Sequence, residues 1–344
     1  HMKPDLFEAP DYYNLDELLT DEHKLIRDAA REWVKREVSP IIEDYAQKAE
    51  FPTQIINGLA DIGAFGPYIP MEYGGAGLDQ ISYGLIMQEI ERGDSGIRST
   101  ASVQSSLVMY PIWKYGNEAQ RQKYLPKLAS GKWIGCFGLT EPDHGSNPSG
   151  MVTNFKDMGD HYLLNGAKMW ISNAPFAQVA VVWAKDESGR IHGLLVERGM
   201  EGFTTPETHN KWSLRASATG ELIFDNVKVP KENLLPNKSG LGAPLGCLIT
   251  EITKAQLLTW RLGVLRNNDK ATSAQISMAK RNNVDMAINI AREARQMLGG
   301  MGITGEYSIM RHSMNLESVI TYEGTHDIHL LITGLDITGL NAFK

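Results

Sequence analysis

The segment Ile320-Thr321-Tyr322-Glu323-Gly324-Thr325-His326-Asp327-Ile328-His329 holds the residues best suited by type to do chemistry. Apolar neighbours of Glu323 would raise its pKa by desolvation. Gly324 beside it permits close approach of a ligand, and nearby peptide N–H groups can donate to a carbonyl oxygen. A base next to such donors is what proton removal α to a carbonyl requires. Taken alone, the segment reads equally as a solvated loop acid. His326, His329 and Asp327 have metal-ligand types, but a zinc site needs further ligands and an outer shell that the sequence does not offer. Packing at a helix start is the favoured reading, and no metal is expected.

Other candidates are scattered. Glu91 and Arg98 flank Gly93-Asp94-Ser95-Gly96. On one continuous helix they would share a face, but the glycines predict a break. A surface ion pair is the plain reading; the sharper one has Arg98, beside Ser99 at a helix end, receiving a ligand carboxylate. TEPDHGSNPSG, residues 140–150, is a polar loop in which Thr140, Ser146 and backbone amides can form an anion nest. KMWISN, residues 168–173, carries Trp170 and Ser172 on one strand and by itself fits a core tryptophan with an exposed serine. Residues 300–305 match GxGxxG, yet the preceding AINIAREARQML is helical, whereas a dinucleotide fingerprint follows a strand. A helix terminus at Gly299-Gly300 fits better.

These residues need a scaffold. From Leu15 to about residue 130 the pattern is helical. Leu25, Ile26, Ala29, Ala30 and Trp33 recur at helix spacing, and Thr20 ahead of Asp21-Glu22-His23 predicts an N-cap. Helical patterns also cover residues 55–62, 81–92 and 119–128, the last behind a Gly-Asn pair. From Trp133 onward the texture turns to short alternating runs. HYLLNGAKMWIS predicts a hairpin turning at Asn165-Gly166, and QVAVVWAKD, GRIHGLLVER and GELIFDNVKV continue the series. After the connector PNKSGLGAPLG, apolar stripes predict helices over residues 249–265, 273–297 and 325–335. The α, β, α order predicts an α+β multidomain chain: a helical domain over 1–136, a β-barrel or sandwich over 137–240 and a helical domain over 241–344. A β-domain between helical units is a natural place for a ligand cleft.

The 344 residues are 42% hydrophobic and 22% charged, which allows a large core and two or three packed units. The net charge of −7 is interspersed, which argues against a nucleic-acid surface but not against a small anionic ligand. Cys136 and Cys247 form no CxxC pair and are expected to be reduced and mostly buried. No stretch approaches the ~20 apolar residues of a membrane span. The opening His1-Met2 looks like a cloning remnant, so a missing leader says little about compartment. Cytoplasm in a bacterium, or mitochondrial matrix in a eukaryote, is the expectation.

In order along the chain, FGLTEPDHGSN, KMWISN, RQMLGGMGI and TYEGTHDIH resemble the acyl-CoA dehydrogenase family. ERGDSGIRSTASVQSSLVM, KWSLRASATG, GAPLGCL and AKRNNVDMAINIAREARQMLGG are similar to its glutaryl-CoA branch, and the likeness covers nearly the whole chain. The resemblance implies FAD as cofactor and an acyl-CoA as substrate. It implies flavin contacts at Phe137, Gly138, Leu139, Thr140 and Ser146, and at Trp170, Ile171 and Ser172, with Ser146 also touching the CoA arm. Further flavin contacts are implied at Gln296, Gly299, Gly300, Thr325 and Phe343, some across a subunit interface, and with them a homotetramer or dimer. Glu323 matches the family's base and Gly324 the substrate contact beside it. Arg98 and Ser99 match the pair that binds the distal carboxylate of a glutaryl group; Glu91 and Tyr322 match polar residues near that end of the pocket. The implied chemistry is α-proton removal by Glu323 as a hydride leaves the β-carbon for the flavin. Loss of CO2 then gives crotonyl-CoA, a step of the lysine and tryptophan breakdown type, and an electron-transferring flavoprotein takes the electrons.

One departure matters. About 45–50 residues that the family carries after Gly246-Cys247-Leu248 are absent, and a helical bundle shortened there would expose apolar faces. That stretch supplies an arginine and an RxQFG-type flavin contact in the family, so a form without flavin is one expectation. Asn147 stands where the family usually has Asp. The alternatives to a decarboxylating glutaryl-CoA enzyme are two. One is a dehydrogenase for another short acyl-CoA, or one that does not decarboxylate. The other is a flavin-free, non-catalytic acyl-CoA-binding or structural homologue.

Overall fold

The computed structural model describes residues 11–145, 148–239, 246–305, 307 and 309–342, with the backbone alone at 238–239 and 246–253. Helices come first: α1 (Asp21–Trp33), α2 (Ile42–Lys48), α3 (Ile56–Asp61), α4 (Gln80–Gly93), α5 (Ser95–Ser102), α6 (Tyr110–Tyr115) and α7 (Glu118–Ala129). Thr20 caps α1 as its sequence predicts. Its hydroxyl accepts from the His23 N–H, and His23 Nδ1 accepts from the Thr20 N–H. Asn117 and Gln120 cap α7 in the same reciprocal way. Each box satisfies helix-end amides that no carbonyl reaches.

The strands are β1 (Gly135–Gly138), β2 (Asn154–Asp157), β3 (His161–Ser172), β4 (Val179–Lys185), β5 (Ile191–Glu197), β6 (Phe203–Thr204), β7 (Thr219–Pro230) and β8 (Leu234–Ser239). They form one sheet in the order β6-β7-β3-β2-β4-β5-β8, with β1 parallel to β4. Strand β4 explains why QVAVVWAKD is almost continuously apolar. Val179, Val181 and Trp183 join a core shared with the helices, while Ala180, Val182 and Ala184 enter a second core on the other face. A strand buried on both faces loses the alternation of polar and apolar residues.

HYLLNGAKMWIS does not turn at Asn165-Gly166. It is the single strand β3, whose register against β7 slips there. Asn165 and Asn226 bridge the slip with their side chains. A Cβ on Gly166 would lie 2.6 Å from Thr153 Oγ1, so this glycine admits a close neighbour instead of reversing the chain. The reversal between β2 and β3 falls at Met158-Gly159-Asp160, closed by the Met158 N–H on the His161 carbonyl at 2.9 Å.

The described residues between 19 and 239 pack as one compact body, which contains both the first helices and the sheet. A second body consists of residues 11–18 with α8 (Gly246–Asn267), α9 (Ser273–Met297), α10 (Ile309–Thr321) and α11 (His326–Thr338). Arg261, only 4% exposed, holds residues 11–18 by donating to the carbonyls of Tyr13 and Asn14 and to the Glu17 carboxylate. Helix α10 buries no residue fully; its partly covered positions are Ile309, Met310, Ser313, Leu316, Val319 and Ile320. Leu257, Trp260, Met297, Met314 and Ile337 leave apolar surface exposed on this body. The first part of the PNKSGLGAPLG connector is β8, and residues 240–245 lie outside the described residues, as does the Cys247 side chain. Cys136 is buried and free, its thiol pushed up to about 12 by burial. Among the described residues no helix is long and apolar enough to cross a membrane, and no cluster of His, Cys, Asp and Glu has metal-holding geometry.

One buried ion pair shapes the long loop between β1 and β2. The Glu141 carboxylate accepts the Val152 N–H at 2.7 Å, the Thr153 N–H at 3.0 Å and the Lys168 ammonium at 2.8 Å. Lys168 also donates to the Leu139 carbonyl at 3.1 Å, and both side chains are essentially inaccessible. Both ends of the loop are thus fastened to β3. Desolvation works to raise the Glu141 pKa, but the hydrogen bonds from Lys168, Thr153 and the amides outweigh it and hold it at about 2. With the folded pKa depressed, the stabilisation from Glu141 is full above the ordinary carboxylate range and is lost as pH falls toward about 2. At neutral pH, Lys168→Met is expected to cost about 3–5 kcal/mol in urea unfolding, since it leaves a buried charge unpaired. Adding Glu141→Leu should recover part of the loss. A Lys168→Met protein as stable as its parent would remove the pair from this account.

Candidate active site

The segments expected to line a flavin come together on the sheet. Phe137 and Gly138 end β1, and Leu139-Thr140 lead directly into the Glu141 clamp. The Thr140 carbonyl accepts the Met169 N–H at 2.9 Å, which sets this run beside Trp170, Ile171 and Ser172 on β3. Between Lys168 and Ile171 the register of β3 slips again, and Trp170 sits there with φ 61. A left-handed backbone costs a non-glycine residue about 1–2 kcal/mol. The result is an indole 57% exposed, not the core tryptophan that KMWISN suggests alone. Ile171 and Leu222 lie beneath it in the second core. Asn173, also left-handed, donates from its side chain to the carbonyls of Thr100 and Gly135 and so links α5 to β1. Ser146 and Asn147 lie outside the described residues.

Glu91, Arg98 and Ser99 meet at the junction of α4 and α5. The break falls at Asp94, whose backbone is extended and whose carboxylate accepts the Gly96 and Ile97 N–H groups at 2.6 and 3.2 Å. The two helices still bring Arg98 Nε to 2.5 Å from Glu91. Ser95 donates to the other Glu91 oxygen, and Arg98 Nη1 donates to Ser102 Oγ at 3.1 Å. Partial burial works to raise the Glu91 pKa; the hydrogen bonds from Arg98 and Ser95 outweigh it and lower the value. Arg98 Nη2 makes no hydrogen bond to a described residue, so the fork keeps a donor for a ligand. Ser99 is half-buried on the same turn.

Tyr322, Glu323, Gly324 and Thr325 form the loop from α10 to α11. Glu323 has φ 52 and Gly324 φ 93, two consecutive left-handed residues. A Cβ at Gly324 would stand 2.8 Å from His329 Nε2, so only glycine fits against that ring. Thr325 caps α11 by accepting the Ile328 N–H. His329 is buried in the first turn of α11, and His326 lies 3.8 Å from Asp285, so both histidines serve the helix start. Burial and then the nearby Lys280 charge push His329 below the usual histidine range. The apolar enclosure expected around Glu323 is not built by its loop: its side chain is exposed.

Lys280, on the first half of α9, donates to the carbonyls of Tyr322 and Gly324. Gln296, Gly299 and Gly300 stand at the other end of that helix, about 24 Å away at 1.5 Å per residue. They are exposed, and a Cβ on either glycine would meet open space. Gly299 terminates α9 with φ 56, so the GxGxxG run is a helix ending and not a phosphate-binding turn. Phe343 lies outside the described residues. Sequence reading missed Glu141, Asn173 and Lys280. Each acts on backbone groups distant along the chain, and no local pattern announces that.

Models of the acyl-CoA dehydrogenase N-terminal, middle and C-terminal domains match residues 20–132, 136–227 and 231–336. A glutaryl-CoA dehydrogenase from Mycobacterium smegmatis, solved in complex with FADH2, is 41% identical; the match covers 96% of this chain and 98% of that one with TM-score 0.67. The mitochondrial short-chain specific acyl-CoA dehydrogenase of Rattus norvegicus is 30% identical over 368 residues, covering 91% of this chain and 89% of that protein. A chain in a structure of the electron transferring flavoprotein of Acidaminococcus fermentans is 30% identical, with 93% and 98% covered and TM-score 0.63. At 344 residues this chain is shorter than its homologues. Helical start, β-sheet middle and helical end, each matched along its length, lead to one conclusion: the chain belongs to the acyl-CoA dehydrogenase family.

Proposed function

We propose that this member of the family oxidises glutaryl-CoA with FAD and decarboxylates the product to crotonyl-CoA. The observation that carries the substrate choice is the Glu91–Arg98–Ser102 network: a guanidinium fixed in orientation, with one N–H pair uncommitted, suits a carboxylate at the far end of an acyl chain. Similarity to the Mycobacterium smegmatis enzyme supports the same choice.

The residues on the sheet fit a flavin. An exposed indole held on strained backbone, one residue from the Met169 amide that bonds the half-buried Thr140, offers a planar ring an aromatic face and nearby polar groups. Trp170, Ile171 and Ser172 with Phe137, Gly138, Leu139 and Thr140 would hold it, and Gln296, Gly299, Gly300 and Thr325 would add contacts, some of them across a homo-oligomer interface. Bound FAD supplies the acceptor for the hydride that leaves the substrate β-carbon. Glu323 takes the α-proton, its backbone N–H supports the thioester carbonyl, and Gly324 lets the acyl chain approach. Arg98 with Ser99 binds the distal carboxylate, while Glu91 and Tyr322 line that end. The enoyl product loses CO2 because the electrons left behind delocalise through the double bond into the thioester. Glu323, now protonated, returns a proton to give crotonyl-CoA. An electron-transferring flavoprotein is the proposed acceptor, in keeping with the Acidaminococcus similarity.

A second reading takes a neutral short acyl-CoA and no decarboxylation. It is favoured by the Glu91 contact, which already answers much of the Arg98 charge, and by similarity to short-chain enzymes. Steady-state kinetics with both substrates separate the two. Arg98→Met should lower kcat/KM for glutaryl-CoA by about 30-fold or more, the effect of losing a buried charge pair, and leave butyryl-CoA turnover within about tenfold. Equal losses on both substrates would argue for the short-chain reading. Glu323→Gln should lower kcat by at least about 100-fold on either substrate; undiminished turnover would remove Glu323 as the base.

A further inference from the structure

Glu323 occupies a backbone conformation that its residue type disfavours, so something outside the loop must hold it there. Helix ends leave carbonyls without partners, and here the carbonyls on either side of Glu323 converge on one side chain. The Lys280 ammonium accepts no bonds and has three N–H groups to place. It donates to the Tyr322 carbonyl and, at 2.6 Å, to the Gly324 carbonyl. The same cation lies 5.7 Å from the Tyr322 ring centroid. On the other side, His329 fills the space that a Cβ at Gly324 would need. The loop is therefore gripped between a cation from α9 and a neutral ring from α11.

We propose that Lys280 is a positioning residue for the base: by tying down the two carbonyls that bracket Glu323, it fixes the backbone from which the carboxylate reaches the substrate α-carbon. The inference rests on the proposed role of Glu323 and adds to it the group that sets its placement. Lys280 touches no reacting atom in this scheme. Its removal should therefore slow proton abstraction more than it weakens substrate binding through Gly324 or flavin binding through Thr325.

The test uses the flavin-loaded protein and compares Lys280→Met, Lys280→Arg and Glu323→Gln. Besides turnover it follows deuterium wash-in at the α-carbon of an acyl-CoA analogue with no transferable β-hydrogen, by NMR in D2O. This reports the base without hydride transfer. Lys280→Met should lower both kcat and the wash-in rate by about 10- to 100-fold, the scale of a misplaced catalytic group. Any rise in KM should be smaller than the fall in kcat, and the melting temperature should stay close to the parent. Lys280→Arg, which keeps a cation able to bridge two carbonyls, should restore most of the rate. Parental wash-in and kcat in Lys280→Met would overturn the proposal. Should that variant fail to fold, Lys280→Gln takes its place: a slowed wash-in there supports the proposal and an unchanged one overturns it. Glu323→Gln keeps the two failures apart, because parental wash-in in that variant would mean the base itself is misassigned.

Discussion

The Glu141–Lys168 pair is the interaction on which the sheet face depends. Two opposite charges withdrawn from water are tolerated only if nearly every donor and acceptor is used, and here the surrounding amides and the Leu139 carbonyl complete the set. The pair joins residues 27 apart that lie at the roots of the two runs assigned to the cofactor. Without it the loop would rely on the Met169 N–H to Thr140 carbonyl bond and the Thr153 hydroxyl to Ala167 carbonyl bond for its ties to β3. Lysine reaches the site because β3 buries residue 168 one step before its register slips and turns residue 170 outward. The same stretch of strand thus supplies the anchor and the exposed aromatic.

Part of the backbone strain in this chain falls where chemistry is expected, and part, at Ala49 and Leu214 for example, falls elsewhere. Trp170, Asn173 and Glu323 all have positive φ, and each is over-determined by neighbours: the slipped β3–β7 register, the carbonyls of Gly135 and Thr100, and Lys280. The Arg98 corner works differently. There the backbone is relaxed, and orientation comes from a network in which Asp94 sets the helix junction and Glu91 sets the guanidinium. One region is held by backbone constraint, the other by side-chain hydrogen bonds. Substitutions should therefore be felt through geometry in the first and through charge in the second.

Much of this was legible before the coordinates because the signals were local. The cap at Thr20, the helix behind the Gly116-Asn117 pair and the glycine ending of α9 are each written within a few residues, and the structure follows them. The errors were also local. Asn165-Gly166 carries the strongest short hairpin signal, yet Gly166 is needed for contact with Thr153, and a less distinctive Met-Gly-Asp run makes the turn. KMWISN alone suggests a core tryptophan because the exposure of Trp170 depends on a register slip that periodicity does not encode. Helix α10 carries a stripe of Ile309, Met310, Leu316, Val319 and Ile320, but the helices expected from the sequence stop at residue 297 and resume at 325, so it is not among them. The residues that brace the candidate site were invisible for a plainer reason. Their backbone partners lie 11 to 73 positions away, and sequence carries no marker for a backbone group that will need a distant partner.

Arg261 has a consequence for how the chain reaches this form. It joins residues 11–18 to a helix nearly 250 positions later in the chain. The described part of the body containing the sheet ends at residue 239, so it can condense before the helices of the second body are made. The second body cannot. Its opening segment must wait, uncovered, through the whole period in which the other forms, and contacts spanning nearly 250 positions close slowly. Assembly is therefore staged in time, with the carboxylate-bearing loop among the last parts to be set.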